Sequence, residues 1–396
     1  MTGVVWESLG NLSEFVDAPL PRFCTPRSAY LHIPFCRHRC GYCNFSVLAG
    51  RDDLADDFLR ALERELSWLG EPQPVETLYI GGGTPTQLGP EQRVALWELA
   101  RSRFPLESGA EFTVEANPAD VDANLADQLA QFGVTRVSLG AQSFDPLKLQ
   151  ILERDHRAEQ IEQAVRHLQQ AGLAVALDLI FGVPGETSAV WQSDLDQALR
   201  LEPAHLSTYG LTFERGTRFW ARLNKGELHA VAETLEQTLY EAGIDRLIGS
   251  GFEHYEVSNF ARPGYRSRHN EVYWSGKTYH AAGPGAARHR DGRREVNHRS
   301  PTTYIQRVLA GISPVAESEF LDAESAARER FVFGMRRLEG VSRGDFWQDT
   351  GYQLDLLFAQ PLAWCRDRGL LSDDGSRIRL TRQGLLVSDA LWPRFL

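Results

Sequence analysis

The chain has 396 residues, of which 42% are hydrophobic and 24% charged, an ordinary balance for a globular protein long enough for one large and one small domain. A formal charge of −11 argues against nucleic acid as a partner, and no uninterrupted apolar run approaches the roughly 18 residues a membrane span needs. The first thirty residues lack a secretory pattern and the five cysteines make no disulfide framework, so a cytoplasmic location is expected, with any membrane contact peripheral.

After an N-terminal extension over residues 1–27, strand-like runs alternate with runs of helical period. The strands are "AYLHI" from Ala29, "TLYIGG" from Thr77, "EFTVEA" from Glu111, "RVSLGA" from Arg136, "AVALDLIFG" from Ala174 and "HLSTYGLT" from His205. Between and after them, "DLADDFLRALERELSWL", "PEQRVALWELARSRF", "VDANLADQLAQFG", "AEQIEQAVRHLQQAG", "SAVWQSDLDQALRL" and "VAETLEQTLYEAG" repeat apolar residues at three and four, as helices do. Gly133, Gly172 and Gly243 fall where a helix end favours a residue tolerant of positive φ. Strict alternation predicts right-handed βαβ units, a parallel sheet, and an α/β fold: a partial (β/α)6 TIM-like barrel over residues 28–250. A Tyr, Trp, Gly and His-rich connecting region follows over residues 251–310. Residues 311–396 are helix-rich and end in "LLSDDGSRIRLTRQGLLVSDALW", which predicts a helix, a β-wing and another helix, a winged-helix-like domain. Winged helices contact DNA or protein, and the acidic charge favours protein.

Chemistry in parallel α/β sheets collects at the carboxyl ends of the strands. There, Cys36, Cys40 and Cys43 follow strand one, "GGGTP" follows strand two, Glu115 and Asn117 end strand three, Gln142 ends strand four, and Asp178 lies in strand five. Thiols at offsets of four and three can ligate three irons of a cubane cluster and leave the fourth iron open. Zinc, the competing occupant, wants four ligands; Cys24 and Cys365 are far along the chain, leaving His32 or His38 to complete it. The glycines at 81 to 83 permit close backbone approach to a ligand. A phosphate loop is the competing reading of "GGGTPT", but the Lys and Ser/Thr of a Walker sequence and the GxGxxG spacing are both absent.

The segment "YLHIPFCRHRCGYCNF" resembles the radical S-adenosylmethionine (SAM) signature CxxxCxxC, in the subgroup of oxygen-independent coproporphyrinogen III oxidases. The likeness continues through "YIGGGTPT", "VEANP", "GVTRVSLGAQSFDPLKLQIL", "LDLIFGVPGET", "HLSTYGLTFERGT" and "HNEVYW", over roughly residues 28 to 300 and more weakly beyond. The resemblance implies the radical SAM type of barrel and a [4Fe-4S] cluster on Cys36, Cys40 and Cys43, fed by an electron donor, whose open iron chelates SAM for reductive cleavage. It places a first SAM at Tyr30, Gly82 and Glu115. Tyr42, Gly83, Thr84, Gln142, Arg154 and Asp178 match positions that contact a second SAM in the dehydrogenase branch. That branch resembles CxxxCxxCxC, whereas the haem chaperone branch, HemW, resembles CxxxCxxCxF and carries HNxxYW. Phe45, His269, Asn270, Tyr273 and Trp274 side with the chaperone branch. The implied function is haem binding and transfer to an acceptor protein. The alternatives are oxidative decarboxylation of coproporphyrinogen III and radical SAM chemistry on another substrate.

Imidazole ligates haem iron and flat rings pack on porphyrin, so His269, with Tyr273 and Trp274 close behind, is the expected haem site. His254, His280 and His289 are its rivals. No CxxCH sequence is present, which excludes covalent haem of that type.

Overall fold

The computed structural model describes residues 25–396; Cys24 and all but the last three residues of the expected extension lie outside the described residues. The described chain falls into two compact units, one of residues 25–320 with Arg336–Glu339, the other of Leu321–Met335 with Gly340–Leu396.

The larger unit is built on a nine-stranded sheet. Its six central strands are Ser28–Ile33, Val75–Gly82, Leu106–Ala116, Arg136–Gln142, Ala174–Phe181 and His205–Gly210, adjacent in chain order and all parallel. These are the six expected strands, the third beginning five residues earlier than the pattern indicates. The connecting region supplies three strands that the alternation does not reveal. His280–Ala282 pairs in parallel with the first strand, and Asn259–Ala261 and Glu253–Glu256 extend the far edge antiparallel. They have only three or four residues each, too short for a period to register.

Side-chain alternation explains the curl of the sheet. Leu31, Ile33, Leu78, Ile80, Phe112, Val114, Val137, Leu139, Leu177 and Leu179 are fully buried, each worth roughly 1.5–3 kcal/mol of apolar transfer. Their alternate neighbours Tyr30, His32, Tyr79, Thr113, Glu115, Ser138, Asp178, Ser207 and Tyr209 all line one cavity, so the first and the sixth of these strands border the same space. A closed eight-stranded barrel fills its interior with branched apolar side chains. This interior is hollow, and polar residues line much of it.

The helices lie where the sequence places them: Ala55–Ser67, Pro90–Arg103, Ala123–Gln131, Ala158–Gln170, Ser188–Arg200 and Glu233–Gly249. Asp122 and Thr187 cap two of them by accepting from Leu125 N and Val190 N. Gly133 and Gly172 follow helix ends with φ of 82° and 77°, as expected. Gly243 does not: its helix runs on for six residues, and a Cβ there would meet the Trp191 ring at 3.4 Å, an ordinary contact distance.

Two buried charge clusters fix the frame. Glu65, on the first helix, accepts from Gly283 N, Asn297 Nδ2 and Tyr304 Oη at 2.9, 2.7 and 2.6 Å, tying the helix to the connecting region. Lys148 bonds Glu186 and Asp194, and Asp194 also accepts from Ser143 Oγ and Phe144 N. The second cluster thereby anchors the turn that follows Gln142.

In the smaller unit, helices Ala323–Met335, Arg343–Thr350 and Ala359–Asp367 accompany a three-stranded antiparallel sheet. Strands Leu371–Asp373 and Arg377–Leu380 form a hairpin, and helix Arg382–Leu386 follows it. Phe331, Phe346, Phe358 and Phe395 make its core, with the Phe331 and Phe358 rings stacked at 4.4 Å.

Candidate cluster and cofactor pocket

The cavity enclosed by the six parallel strands measures about 880 Å³ and opens at their carboxyl ends. Cys36, Cys40 and Cys43 all line it. The loop that carries them leaves strand one, is held by a short parallel pairing of Phe35–Cys36 with Leu48–Ala49, and turns through a bond from Cys43 N to Cys40 O at 3.1 Å. Burial pushes the Cys36 thiol up to about 12, so loading a metal there must displace a proton. Among the described residues no three His, Cys, Asp or Glu side chains are arranged to hold a single metal ion. His32 cannot complete a zinc site as placed, since its nitrogens are engaged by Tyr30 Oη and Ser46 O, each at 3.0 Å. Cys365 belongs to the other unit.

The other expected cofactor residues converge on the same space: Tyr30, Tyr42, Gly82, Gly83, Thr84, Glu115, Gln142, Arg154 and Asp178 all line the cavity. The glycine loop is there for closeness. A Cβ on Gly81 would strike the Glu115 carboxyl, one on Gly82 the His32 ring, and one on Gly83 the carbonyls of Ile33 and Phe35. Glu115 accepts from Tyr79 Oη and Gly82 N, both at 2.8 Å, and burial raises its carboxyl to about 7. Asp178, bonded by Ser138 Oγ at 3.1 Å, is raised to about 6 for the same reason. Gln142, which lines the cavity, sits at φ 64°, and Glu153, next to the lining residue Arg154, at φ 56°, conformations costly for residues with a Cβ. Next to Glu153, Arg154 donates to Gly140 O at 3.0 Å and to Cys40 Sγ at 3.4 Å, joining the thiol loop to strand four.

The expected haem residues lie elsewhere. His269, on helix Arg268–Trp274, is 1% exposed and outside the cavity lining. Its Nδ1 is bonded to Thr77 Oγ1 at 2.9 Å and its Nε2 to Tyr273 Oη at 2.8 Å, and burial lowers its pKa to about 3. With both nitrogens taken, it braces the barrel wall, its ring tilted at 5.1 Å against that of Tyr79, the residue that bonds Glu115. Tyr273 completes that bond, and Trp274 lies under the Arg336 guanidinium at 4.5 Å. Of the four motif residues in this segment, only Asn270 lines the cavity. The rivals are outside it too: His254 stacks on Phe260 at 4.2 Å, His280 is set against Phe104, and His289 pairs through its backbone with Tyr279. Sequence reading missed Thr113, Arg136, Ser138, His205 and Ser207, which face the cavity. The period-two polar residues inside the strands were the signal that marked them.

A curled parallel sheet with three thiols after its first strand and a glycine loop after its second defines a radical SAM fold. The Radical SAM superfamily model matches residues 30–198, and the HemN C-terminal domain model matches residues 321–387. Coproporphyrinogen III oxidase (HemN) of Escherichia coli, a solved radical SAM enzyme, has a TM-score of 0.82 and 23% identity over 93% of this chain and 90% of its own, which shows the shared fold. Within the superfamily the chain belongs to the HemW family. It is 35% identical to the heme chaperone HemW of Bacillus subtilis over 93% of this chain and 99% of that protein. It is 33% identical to HemW of Escherichia coli over 94% and 98%.

Proposed function

We propose that this protein is a haem chaperone that binds haem and passes it to an acceptor protein, using a [4Fe-4S] cluster and SAM. The likeness to proteins named as heme chaperones along nearly their whole length supports this reading. The structural observation that carries it is Phe45. Its ring is 62% exposed at the rim of the cavity, two residues past Cys43, where the dehydrogenase branch has a further thiol.

In this reading Cys36, Cys40 and Cys43 hold the cluster, which when bound supplies an open iron and an electron source for SAM. The chain supplies the rest. Gly82, Gly83 and Thr84 keep backbone close to the ligand, and Glu115, fixed by Tyr79 and Gly82, offers an acceptor for its hydroxyl or amino groups. Gln142, Arg154 and Asp178 line the same cavity. Among the described residues no helix is long and apolar enough to cross a membrane. The acceptor is a protein of unassigned identity, and an electron donor must reach the cluster. The cytoplasm, where thiols stay reduced, suits these cysteines.

Two incubations of anaerobically reconstituted protein test the proposal. Haem titration should give a saturable Soret change, and coproporphyrinogen III with SAM and reductant should yield no protoporphyrinogen IX. Multiple turnovers in the second would replace the chaperone with the dehydrogenase.

A further inference from the structure

The inner end of the cavity, below Glu115 and Asp178, holds polar atoms that none of the described residues satisfies. Thr113, Arg136 and His205 are 1%, 6% and 2% exposed, and all three line the cavity. Thr113 Oγ1, Arg136 Nε, Arg136 Nη1 and His205 Nδ1 are buried without a hydrogen-bond partner. The strands bring them together: Thr113 and Arg136 are paired across neighbouring strands, and His205 begins the strand two further on. Four orphaned polar atoms in one place are costly unless something fills the space.

Their chemistry is one-sided. Arg136 Nη2 is spent on Glu111 at 3.3 Å and on the carbonyls of Tyr265 and Arg266 at 2.8 and 3.1 Å, which leaves the hydrogens on Nε and Nη1 unspent. The Tyr255 hydroxyl accepts from Ser267 N at 3.2 Å; giving its own proton to His205 Nε2, at 2.8 Å, puts the ring hydrogen on Nδ1. The Thr113 hydroxyl is free to donate. Thr113, Arg136 and His205 therefore each offer a hydrogen, and donors from one cation and two neutral groups suit a carboxylate, whose oxygens only accept.

We infer that Thr113, Arg136 and His205 form a binding site for a carboxylate group of a ligand that enters the cavity. This deepens the haem reading and rests on it for the identity of the ligand, because haem carries two propionates. A free small carboxylate shares the same chemistry.

The test compares haem, haem dimethyl ester and sodium propionate on the full-length protein and on Arg136→Gln and Thr113→Val. Thr113→Val removes one hydroxyl and keeps the shape, so it reports even if loss of the Arg136 tethers impairs folding. If the carboxylate belongs to haem, the wild type binds haem about tenfold more tightly than its ester, and both variants narrow that gap. If it belongs to a free carboxylate, haem and ester bind alike, while propionate raises the Tm of the wild type above a matched chloride control and fails to do so in the variants. A propionate response without haem binding would sink the chaperone reading and leave the site standing. Variants that respond to all three probes as the wild type does would overturn the site, leaving ordered water on these donors.

Discussion

The Gly82 amide donates to Glu115 Oε2 at 2.8 Å, locking the glycine loop after strand two to the carboxyl at the end of strand three. Neither residue holds its place without the other, since a side chain at Gly81 or Gly82 would displace Glu115 or His32.

Replacing Glu115 with Gln should weaken SAM binding by about tenfold, by removing a charged acceptor, and calorimetric titration would show it. The same variant has a signature in stability. Burial raises Glu115 to about 7 and Asp178 to about 6, above their unfolded values, so their contribution is full below pH 4 and is lost as pH rises through 6 and 7. The Tm of the SAM-free protein should therefore fall between pH 5 and 8, and the Gln variant should show a shallower fall. Equal slopes would place the titrating groups elsewhere.

Cys40→Ala should lose the cluster, because two remaining thiols, Cys36 and Cys43, cannot hold three irons. Anaerobic iron and sulfide analysis after reconstitution should drop well below four of each per chain. A full complement in the variant would reject the three-cysteine assignment.

His269→Ala should destabilise the fold by about 2–4 kcal/mol in urea unfolding, since it strands the buried hydroxyls of Thr77 and Tyr273. With the Tyr79 ring no longer braced, SAM affinity should fall as well. The Soret band of bound haem should stay where it is. A shifted Soret band would mean that the ring leaves its bonds to Thr77 and Tyr273 to reach iron.

Lys148→Met should cost about 3–5 kcal/mol, because it leaves Glu186 and Asp194 buried without their cation. Asp194 also fixes Ser143 and Phe144, so the positive-φ turn at Gln142 should loosen and SAM affinity should fall with stability. Unchanged denaturation midpoints would show that the ion cluster contributes little.

Local signals decided much of this protein before any fold was visible. Strand and helix periods depend on neighbours a few residues apart, so the six parallel strands and six helices could be read from the chain, as could the thiol spacing, set within eight residues. Which side of each strand faces a hollow interior depends on how far the sheet curls, and only the tertiary structure decided that. It turned Thr113, Arg136 and His205 from ordinary strand residues into the donor-lined end of a cavity. It also took His269, exposed to suspicion by its aromatic neighbours in sequence, and buried it between Thr77 and Tyr273, because a ring nitrogen's availability is set by partners 192 residues away as much as by those four residues on.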